Sequence, residues 1–408
     1  MTTAKNNEHK KLNFSNEQEQ SQACLNSAEH EKNQGRKVLN VPNLRFPEFE
    51  GEWEKMRLDA FTERVMRKNK SNQSRLPLTI SAQYGLVDQI TFFNKVVAST
   101  DLSNYYLLKK GEFAYNKSYS SDYPWGAIKR LDNYDQGALS SLYICFAPQD
   151  NVVSDFILQY FESPKWHKGI SEIAVEGARN HGLLNVAVQD FFHTYHYVPK
   201  DKKEQIKISK LLMLLDERIA TQSKIIDKLQ SLIKGIGKQL FMDNQNWRTV
   251  KIGELLRIGN GKDYKHLSIG KIPVYGTGGQ MLLVNDYLYD GESVCIGRKG
   301  TIDTPMFLKG KFWTVDTLFY TYDFKDVLPK FCYYLFLQIN WKLYNEGTGV
   351  PSLSKSTIEN IKVKIPSLEQ QHKICSILDC YEHKTNNEEQ ILELYHSEKQ
   401  YLLRQMFI

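Results

Sequence analysis

The longest regular pattern of apolar positions lies in residues 204–242. Apolar residues recur there at alternating steps of four and three, and the single polar position is Gln222. Such an alternation over more than four heptads is typical of a coiled-coil seam rather than of an ordinary amphipathic face. No proline interrupts the segment, so it predicts one continuous helix about 58 Å long at 1.5 Å per residue. The predicted seam consists of Ile208, Leu212, Leu215, Ile219, Gln222, Ile226, Leu229, Ile233, Ile236 and Leu240.

Two further regions mix short runs of β-branched and aromatic residues with Gly, Asp, Asn and Pro. Runs such as TISAQYGLV, YYLLKKGEFAYN, ALSSLYICFA and FFHTYHYVP predict strands, and one helix is predicted near Ser154–Lys168. Residues 1–40 are polar and almost free of large apolar side chains, which predicts disorder. The predicted organisation is an N-terminal extension (1–40), a first globular domain (41–200), a first long helix (201–243), a second globular domain (244–366) and a second long helix (367–408).

The two halves of the chain align with each other, which predicts an internal repeat. The difference in residue number falls along the chain and then becomes constant, whereas chance matches would scatter. The differences are 194 at Trp53 and Trp247, 191 at Tyr84 and Tyr275, 180 at Gly111 and Gly291, 170 at Gly177 and Gly347, and 166 at Phe241 and Phe407.

The repeat supplies a partner for the first helix within the same chain. Moving the first seam by 166 residues gives a second, weaker seam, of which Thr385, Glu388 and Lys399 are polar positions. We therefore expect an α+β protein with two repeated globular domains and two long helices that form an intramolecular antiparallel coiled coil. Gln222 is interpreted as a register-setting residue facing Glu388 or its neighbours. The apolar or Tyr positions of the second seam are Ile374, Leu378, Tyr381, Leu392, Tyr395, Leu402 and Met406.

Composition narrows the class of protein only slightly. A chain of 408 residues suggests two or three domains, and its net charge of +6 is compatible with a nucleic-acid partner without requiring one. Six scattered cysteines without a CxxC pair, and the absence of a long apolar run, predict a cytoplasmic protein without a membrane span.

Several segments resemble the specificity subunit of type I restriction–modification systems, from about Val41 to Ile408. The resemblance is carried by LRFPEFEGEW, PVYGTGG (273–279), RKGTI (298–302), FWTVDTLFY (312–320), EGTGVPSLSKSTIENIKV (346–363) and EQQHKI (369–374). In that family each globular region is a target recognition domain that reads one half of a bipartite DNA site. Two half-sites about one helical turn apart, roughly 35 Å, suit a pseudo-symmetric protein of this kind.

The resemblance also implies partners and cofactors. The paired helices set the spacer and bind two methyltransferase (modification) subunits, and motor/nuclease (restriction) subunits join the complex. This chain is then not an enzyme by itself and holds no cofactor, whereas S-adenosylmethionine, ATP and magnesium belong to the partner subunits. A flipped adenine would need an (Asp/Asn)-Pro-Pro-aromatic segment, and the chain contains no Pro-Pro.

The candidate DNA-binding residues lie in two glycine-containing loops of each domain. Backbone N–H groups of such loops can approach phosphates, Lys, Ser and Thr hold the register, and Arg or Asn can read base edges. The alternative is that these loops are ordinary turns whose charged side chains are solvated and do not contact DNA. The candidates are Lys117, Ser118, Tyr119, Arg179, Asn180 and His181 in the first domain, and Arg298, Lys299, Thr301, Thr348, Ser352, Ser354 and Lys355 in the second.

A metal site is not expected. Cys375 and Cys380, with His372 and His383, resemble a ligand quartet, but residues five apart on a helix diverge by about 140°. The two cysteines are interpreted as buried packing residues.

The rival hypothesis for the whole chain is a structural or assembly protein whose coiled coil joins two ligand-binding domains without reading DNA.

Overall fold

The computed structural model describes residues 39–95, 98–174, 182–242 and 246–408. The chain forms two compact units. Unit 1 contains the described residues up to Leu214 together with Glu398–Ile408, and unit 2 is Leu215–Ser397. Most of the predicted extension, residues 1–38, lies outside the described part of the chain.

Unit 1 is a mixed α/β unit. Two four-stranded sheets have the orders β2-β9-β6-β7 and β4-β3-β8-β5, and β1 pairs antiparallel with β10. The strands are β1 (Glu54–Arg57), β2 (Thr62–Arg64), β3 (Pro77–Ser81), β4 (Gly85–Asp88), β5 (Tyr106–Lys109), β6 (Phe113–Asn116), β7 (Ala127–Arg130), β8 (Gln136–Leu139), β9 (Ile144–Pro148) and β10 (Tyr195–Val198). The helices are α1 (Gln89–Phe93), α2 (Ser154–Glu162), α3 (His167–Ile173) and α4 (Val188–Phe192), with 3₁₀ turns at Leu58–Ala60 and Lys70–Asn72.

The four runs that predicted strands in the first domain all contain strands. A helix begins at Ser154 as predicted, but it ends at Glu162 and a second helix begins at His167, so the expectation of a single helix as far as Lys168 is wrong. Pro164 lacks an N–H group and disfavours a helical conformation in the residue before it, so the first helix ends at Glu162.

Unit 2 is also mixed α/β. Its main sheet has the order β12-β17-β15-β16-β13-β14, and β11 pairs antiparallel with β18. The strands are β11 (Arg248–Lys251), β12 (Arg257–Asn260), β13 (Ile269–Gly276), β14 (Gly279–Val284), β15 (Tyr289–Gly297), β16 (Met306–Thr314), β17 (Leu318–Tyr322) and β18 (Lys362–Ile365). The helices that come after β10 in the sequence are α5 (Lys202–Met242), α6 (Ile252–Leu255), α7 (Pro329–Gln338), α8 (Lys355–Asn360) and α9 (Leu368–Gln405), with a 3₁₀ turn at Trp341–Tyr344.

The long helices α5 and α9 lie close to the two predicted segments, 204–242 and 369–408. Helix α5 begins two residues earlier because the Asp201 carboxylate accepts a hydrogen bond from the Lys203 N–H at 2.8 Å. Every position of the first seam, and every position obtained from it by adding 166, is buried or half-buried. In unit 1, Ile208 and Leu212 share a core with Leu403 and Met406.

In unit 2 the segments of α5 and α9 run in opposite directions. The Gln222 amide donates to a Glu388 carboxylate oxygen at 2.6 Å and to the Glu388 carbonyl oxygen at 3.0 Å. Towards the end of α5, Phe241 shares a core with Ile374 and Leu378, near the beginning of α9. The contact of Gln222 with Glu388 expected from the sequence is therefore confirmed.

One glutamine near the start of each long helix fixes that helix to the globular part of its unit. In unit 1, Gln205 accepts from the Val153 N–H at 2.7 Å and donates to the Pro199 carbonyl at 2.8 Å. In unit 2, Gln371 accepts from the Leu328 N–H at 2.9 Å and donates to the Pro366 carbonyl at 3.1 Å. Both side chains are almost completely buried, so each satisfies backbone groups that would otherwise lack partners.

Aromatic residues occupy matching positions in the two cores. In unit 1, the Trp166 indole N–H donates to the Phe161 carbonyl at 3.0 Å; in unit 2, Trp341 donates to Phe336 at 2.9 Å. Aromatic rings also pack edge to face between the end of each long helix and a tryptophan at the start of a globular region. The ring centroids of Phe407 and Trp53 lie 6.5 Å apart in unit 1, and those of Phe241 and Trp247 lie 5.7 Å apart in unit 2.

The LRFPEFEGEW segment is held against both long helices within unit 1. Arg45 makes a two-point ion pair with the buried Glu204 of α5, at 2.7 and 2.8 Å, and the Trp53 indole donates to the same carboxylate at 3.1 Å. The Leu44 N–H donates to the Gln405 carbonyl at the end of α9 at 2.9 Å. These polar contacts orient the segment that leads into β1.

None of the described helices combines the length and the apolar character that a membrane span needs.

Candidate functional site

In unit 2, two of the predicted loops meet side by side. One loop follows β15 and begins at Arg298, and the other leads into α8 and contains Ser352. Their backbones are paired over a short distance, so the side chains of both loops are presented together. The contacts are an antiparallel bridge between Lys299 and Ser352, a hydrogen bond from the Leu353 N–H to the Arg298 carbonyl at 2.9 Å, and one from the Gly300 N–H to the Pro351 carbonyl at 2.9 Å.

Unit 1 contains the same arrangement of two paired loops. One loop follows β6, and the other precedes α4. The contacts are an antiparallel bridge between Ser118 and Leu183, a hydrogen bond from the Leu184 N–H to the Lys117 carbonyl at 2.9 Å, and one from the Tyr119 N–H to the Gly182 carbonyl at 3.0 Å.

The two loop pairs correspond in sequence as well as in geometry. Bridge residues of the first loops are 181 apart (118 to 299), and those of the second loops are 169 apart (183 to 352). These differences are within one residue of the 180 and 170 given by the alignment of neighbouring segments. The correspondence therefore rests on two independent measurements, the residue numbers and the hydrogen bonds.

The loops of unit 2 line a polar cleft of about 620 Å³. Three cationic side chains, Arg298, Lys299 and Lys355, and two carboxylates, Glu346 and Glu359, face this cleft. Of the seven residues predicted in the second domain, five line it: Arg298, Lys299, Ser352, Ser354 and Lys355. Thr301 and Thr348 are exposed on the same two loops but are not part of the lining.

Glu346 is occupied by hydrogen bonds within its own loop. Its carboxylate accepts from the Thr357 hydroxyl and from the Ser354 hydroxyl, the latter at 2.9 Å. These bonds, that from Thr357 first, lower the pKa of Glu346. Ser354 in turn caps α8 by accepting from the Thr357 N–H at 3.1 Å. The carboxylate thus fixes the loop, whereas no ion pair among the described residues engages Arg298, Lys299 or Lys355.

The matching loops of unit 1 are described only in part. Lys117 reaches the Val186 carbonyl at 3.5 Å, and the Asn116 side chain accepts from the Ser118 N–H at 3.0 Å. Tyr119 is exposed. The other three residues predicted in this domain, Arg179, Asn180 and His181, lie outside the described residues.

Sequence reasoning missed several residues at this site. Asn260, at the end of β12, lines the cleft. The tip of the β13–β14 hairpin also approaches the first loop, since a Cβ atom on Gly300 would lie 3.7 Å from the Thr277 hydroxyl. The YGTGG segment contains this tip and was a visible signal, but its proximity to residue 300 depends on strand pairing.

The expectation of buried packing cysteines is half correct. Cys375 is buried in the core of unit 2, whereas Cys380 is exposed. The prediction for Cys380 is wrong because a step of five residues turns its side chain away from the face that carries Cys375, the same geometry that argued against a shared metal ion. Across the described residues, no three His, Cys, Asp or Glu side chains are grouped so that they could hold a metal ion.

A protein-family model matches a region in the second half of the chain. The model of the type I restriction modification DNA specificity domain matches residues 244–394. This region contains every candidate residue of the unit 2 cleft.

Curated relatives carry the same designation. The type I restriction enzyme EcoprrI specificity subunit of Escherichia coli is 24% identical over 147 residues, which are 33% of this chain and 36% of the relative. The MjaVIII specificity subunit of Methanocaldococcus jannaschii is 24% identical over 189 residues, 40% of this chain and 42% of the relative. The chain thus matches less than half the length of these relatives.

Solved structures extend the likeness of fold to most of the chain. The type I restriction–modification S subunit from M. genitalium has a TM-score of 0.56 at 17% identity, covering 90% of this chain and 99% of that chain. A chain from a structure on complex assembly and conformational transition of the type I R-M system has a TM-score of 0.55 at 13% identity, covering 86% and 96%. At these identities the likeness establishes the fold alone.

Proposed function

We propose that this chain is a specificity subunit of a type I restriction–modification system and that it reads a bipartite DNA sequence through the paired loops of unit 1 and unit 2. The observation that carries the proposal is the recurrence of one loop pair, with the same bridge and the same two hydrogen bonds, in both units. A duplicated reading element is what a site with two halves requires.

The side chains on these loops suit DNA. The cations Arg298, Lys299 and Lys355 can neutralise phosphates, and Arg298 can also donate two hydrogen bonds to the O6 and N7 atoms of guanine. The loops of unit 1 differ in sequence, with Lys117, Ser118 and Tyr119 at the corresponding place. The two units therefore read different half-sites in this proposal.

The long helices act as the spacer of the molecule. In the proposal α5 and α9 form an intramolecular antiparallel coiled coil between two repeated recognition domains, with boundaries near residues 41–200 and 244–366. Support comes from the burial of the seam positions and from the contact of Gln222 with Glu388. A coiled coil of this kind fixes the number of unread base pairs between the half-sites.

The outer faces of the same helices suit two copies of one partner. Exposed apolar residues recur 166 positions apart, at Leu211 and Ile377 and again at Ile225 and Ile391. Exposed apolar positions that repeat along a helix favour a protein partner. We assign these faces to two methyltransferase subunits, which would bring S-adenosylmethionine, while motor/nuclease subunits would bring ATP and magnesium. The chain itself has no catalytic role in this proposal, and the complex acts in the cytoplasm.

Selection from randomised duplexes by the reconstituted complex of this chain with its methyltransferase tests the proposal. We expect enrichment of one two-part sequence with a fixed gap. Arg298→Ala should relax one half only, because a bidentate arginine contributes about 1–3 kcal/mol of discrimination between bases. The matched control is Arg257→Ala, an exposed arginine of the same unit that does not line the cleft.

An absence of any enriched two-part sequence would contradict DNA reading. It would favour the rival function, an assembly protein that joins two ligand-binding domains by its helices.

A further inference from the structure

The second loop of unit 2 ends in an exposed apolar tip. Val350 is 63% exposed, and apart from Gly349 and its two chain neighbours no atom lies within 4 Å of the position that a Cβ atom on Gly349 would take. The tip therefore faces open space with an aliphatic side chain at its front. A single exposed valine is common on protein surfaces and by itself indicates nothing. Its loop, however, is unusually constrained.

Asn345 holds the loop from its first residue. Its side-chain oxygen accepts from the Gly347 N–H at 2.9 Å and from the Ser352 N–H at 2.8 Å, and its amide donates to the Gly347 carbonyl at 3.0 Å. The Glu346 N–H also donates to the Ser352 carbonyl at 2.9 Å. These bonds close the loop across its base.

Close packing fixes the tip above this base. A Cβ atom on Gly347 would lie 2.1 Å from the Val350 carbonyl oxygen, so only glycine permits the observed approach. The conformation of the tip is thus set within the loop itself. A loop that is already ordered loses less conformational freedom when it binds, and its side chains reach a defined position on the ligand.

The chemistry around the tip indicates what Val350 contacts. The loop lies beside Arg298, Lys299 and Lys355, which suit phosphates and polar base edges, whereas a valine can accept or donate no hydrogen bond. The apolar group that DNA offers on a base edge is the C5-methyl of thymine in the major groove. Side chains that wedge between stacked bases are typically larger, such as Phe, Leu, Ile or Met.

We propose that Val350 contacts the C5-methyl group of a thymine in the half-site read by unit 2. The proposal rests on the proposed function, and it adds a specificity-determining residue whose contribution is a single methyl contact. It makes thymine distinguishable from uracil at one position of the site, since uracil differs from thymine only in lacking this methyl.

The test uses the full chain in its reconstituted methyltransferase complex and the selected duplex, with each thymine replaced by uracil in turn. For the unaltered protein we expect one position of one half-site to lose about fourfold in affinity, the value of one buried methyl-sized group. Val350→Ala should bind the thymine duplex more weakly and lose the discrimination at that position. Leu343→Ala, which truncates another exposed apolar residue of unit 2, should retain it.

The possible results are distinct. Sequence-specific binding with no thymine–uracil difference at any position, a site without thymine in the relevant half, or discrimination that persists in Val350→Ala would each overturn the inference and leave the proposed function standing. A complex that selects no sequence at all would instead contradict the proposed function, and this inference would be contradicted with it. Thermal unfolding of both variants separates a lost contact from a lost fold.

Discussion

His196 is the most strongly perturbed histidine of unit 1. It is fully buried, and its two ring nitrogens lie 2.8 Å from the Tyr160 hydroxyl and 2.7 Å from the Thr194 hydroxyl. Burial lowers the pKa of this imidazole to about 3. The folded protein therefore holds His196 neutral at pH values where the unfolded chain, with an ordinary pKa near 6.5, is protonated.

This difference predicts acid sensitivity of unit 1. Stability from the neutral imidazole is complete above about pH 6.5 and is lost as the pH falls towards 3, by up to about 1.4 kcal/mol per pH unit for one proton. Denaturant unfolding of the unaltered protein and of His196→Gln, at each pH between 7 and 5, measures the contribution of His196 to the free energy of unfolding. A pH dependence that is identical in the variant would contradict it.

Gln371 gives a second prediction at the scale of one residue. Gln371→Ala should lower the free energy of unfolding of unit 2 by about 1–3 kcal/mol, because the half-buried Leu328 N–H and the Pro366 and Asp326 carbonyls lose their partner. Differential scanning calorimetry reports the shift as a lower unfolding midpoint. Gln370→Ala, at the exposed neighbouring position, is the matched control and should leave the midpoint almost unchanged.

At the scale of the element, the two long helices predict how the DNA spacer responds to their length. Removal of residues 222–228 from α5 together with residues 382–388 of α9 shortens both helices by seven residues, about 10 Å. We expect the unread gap to shrink by up to about three base pairs at 3.4 Å each, while both half-site sequences stay the same. Duplex selection with the shortened protein measures both quantities.

A change in the half-site sequences would contradict the role of the helices as a spacer. Removing one heptad from each helix preserves the four–three pattern, so a folded protein is expected. Circular dichroism of the shortened chain provides the control for helix content.

The long helices were the elements most visible in the sequence. A seam repeats its signal at every heptad, so Gln222 stands out as the one polar position, and the repeat predicted that it faces Glu388 or its neighbours. A short element lacks this redundancy. Helix formation around Ser154–Lys168 was recognised, but the break at Pro164 was not, because the apolar pattern continues on both sides of it.

The sequence located the loops, but it did not show the role of each residue within them. Glycine and polar residues marked residues 298–302 and 346–355, yet the brace from Asn345 and the cleft position of Asn260 depend on distances between segments far apart in the chain. The role of Glu346 could not be predicted from the sequence either. A carboxylate among cations gives no sequence signal that distinguishes a structural brace from a base-reading group.

At the scale of the whole molecule, the division into units does not follow the order of the chain. The boundary falls inside both long helices, between Leu214 and Leu215 and between Ser397 and Glu398. Each helix therefore contributes its ends to different cores, and damage to one seam is expected to reach both units.

The placement of the last residues of the chain has a consequence for synthesis on the ribosome. Unit 2 is one contiguous stretch, whereas the core of unit 1 includes Leu403, Met406 and Phe407, with Phe407 packed against Trp53 and Tyr160. All residues of unit 2 precede Leu403 in the chain, so they are synthesised before the last segment of the unit 1 core. Unit 1, although most of it is translated earlier, cannot close its aromatic core before residues 403–407 have been made, and a chain that stops before them exposes that core to chaperones and proteases.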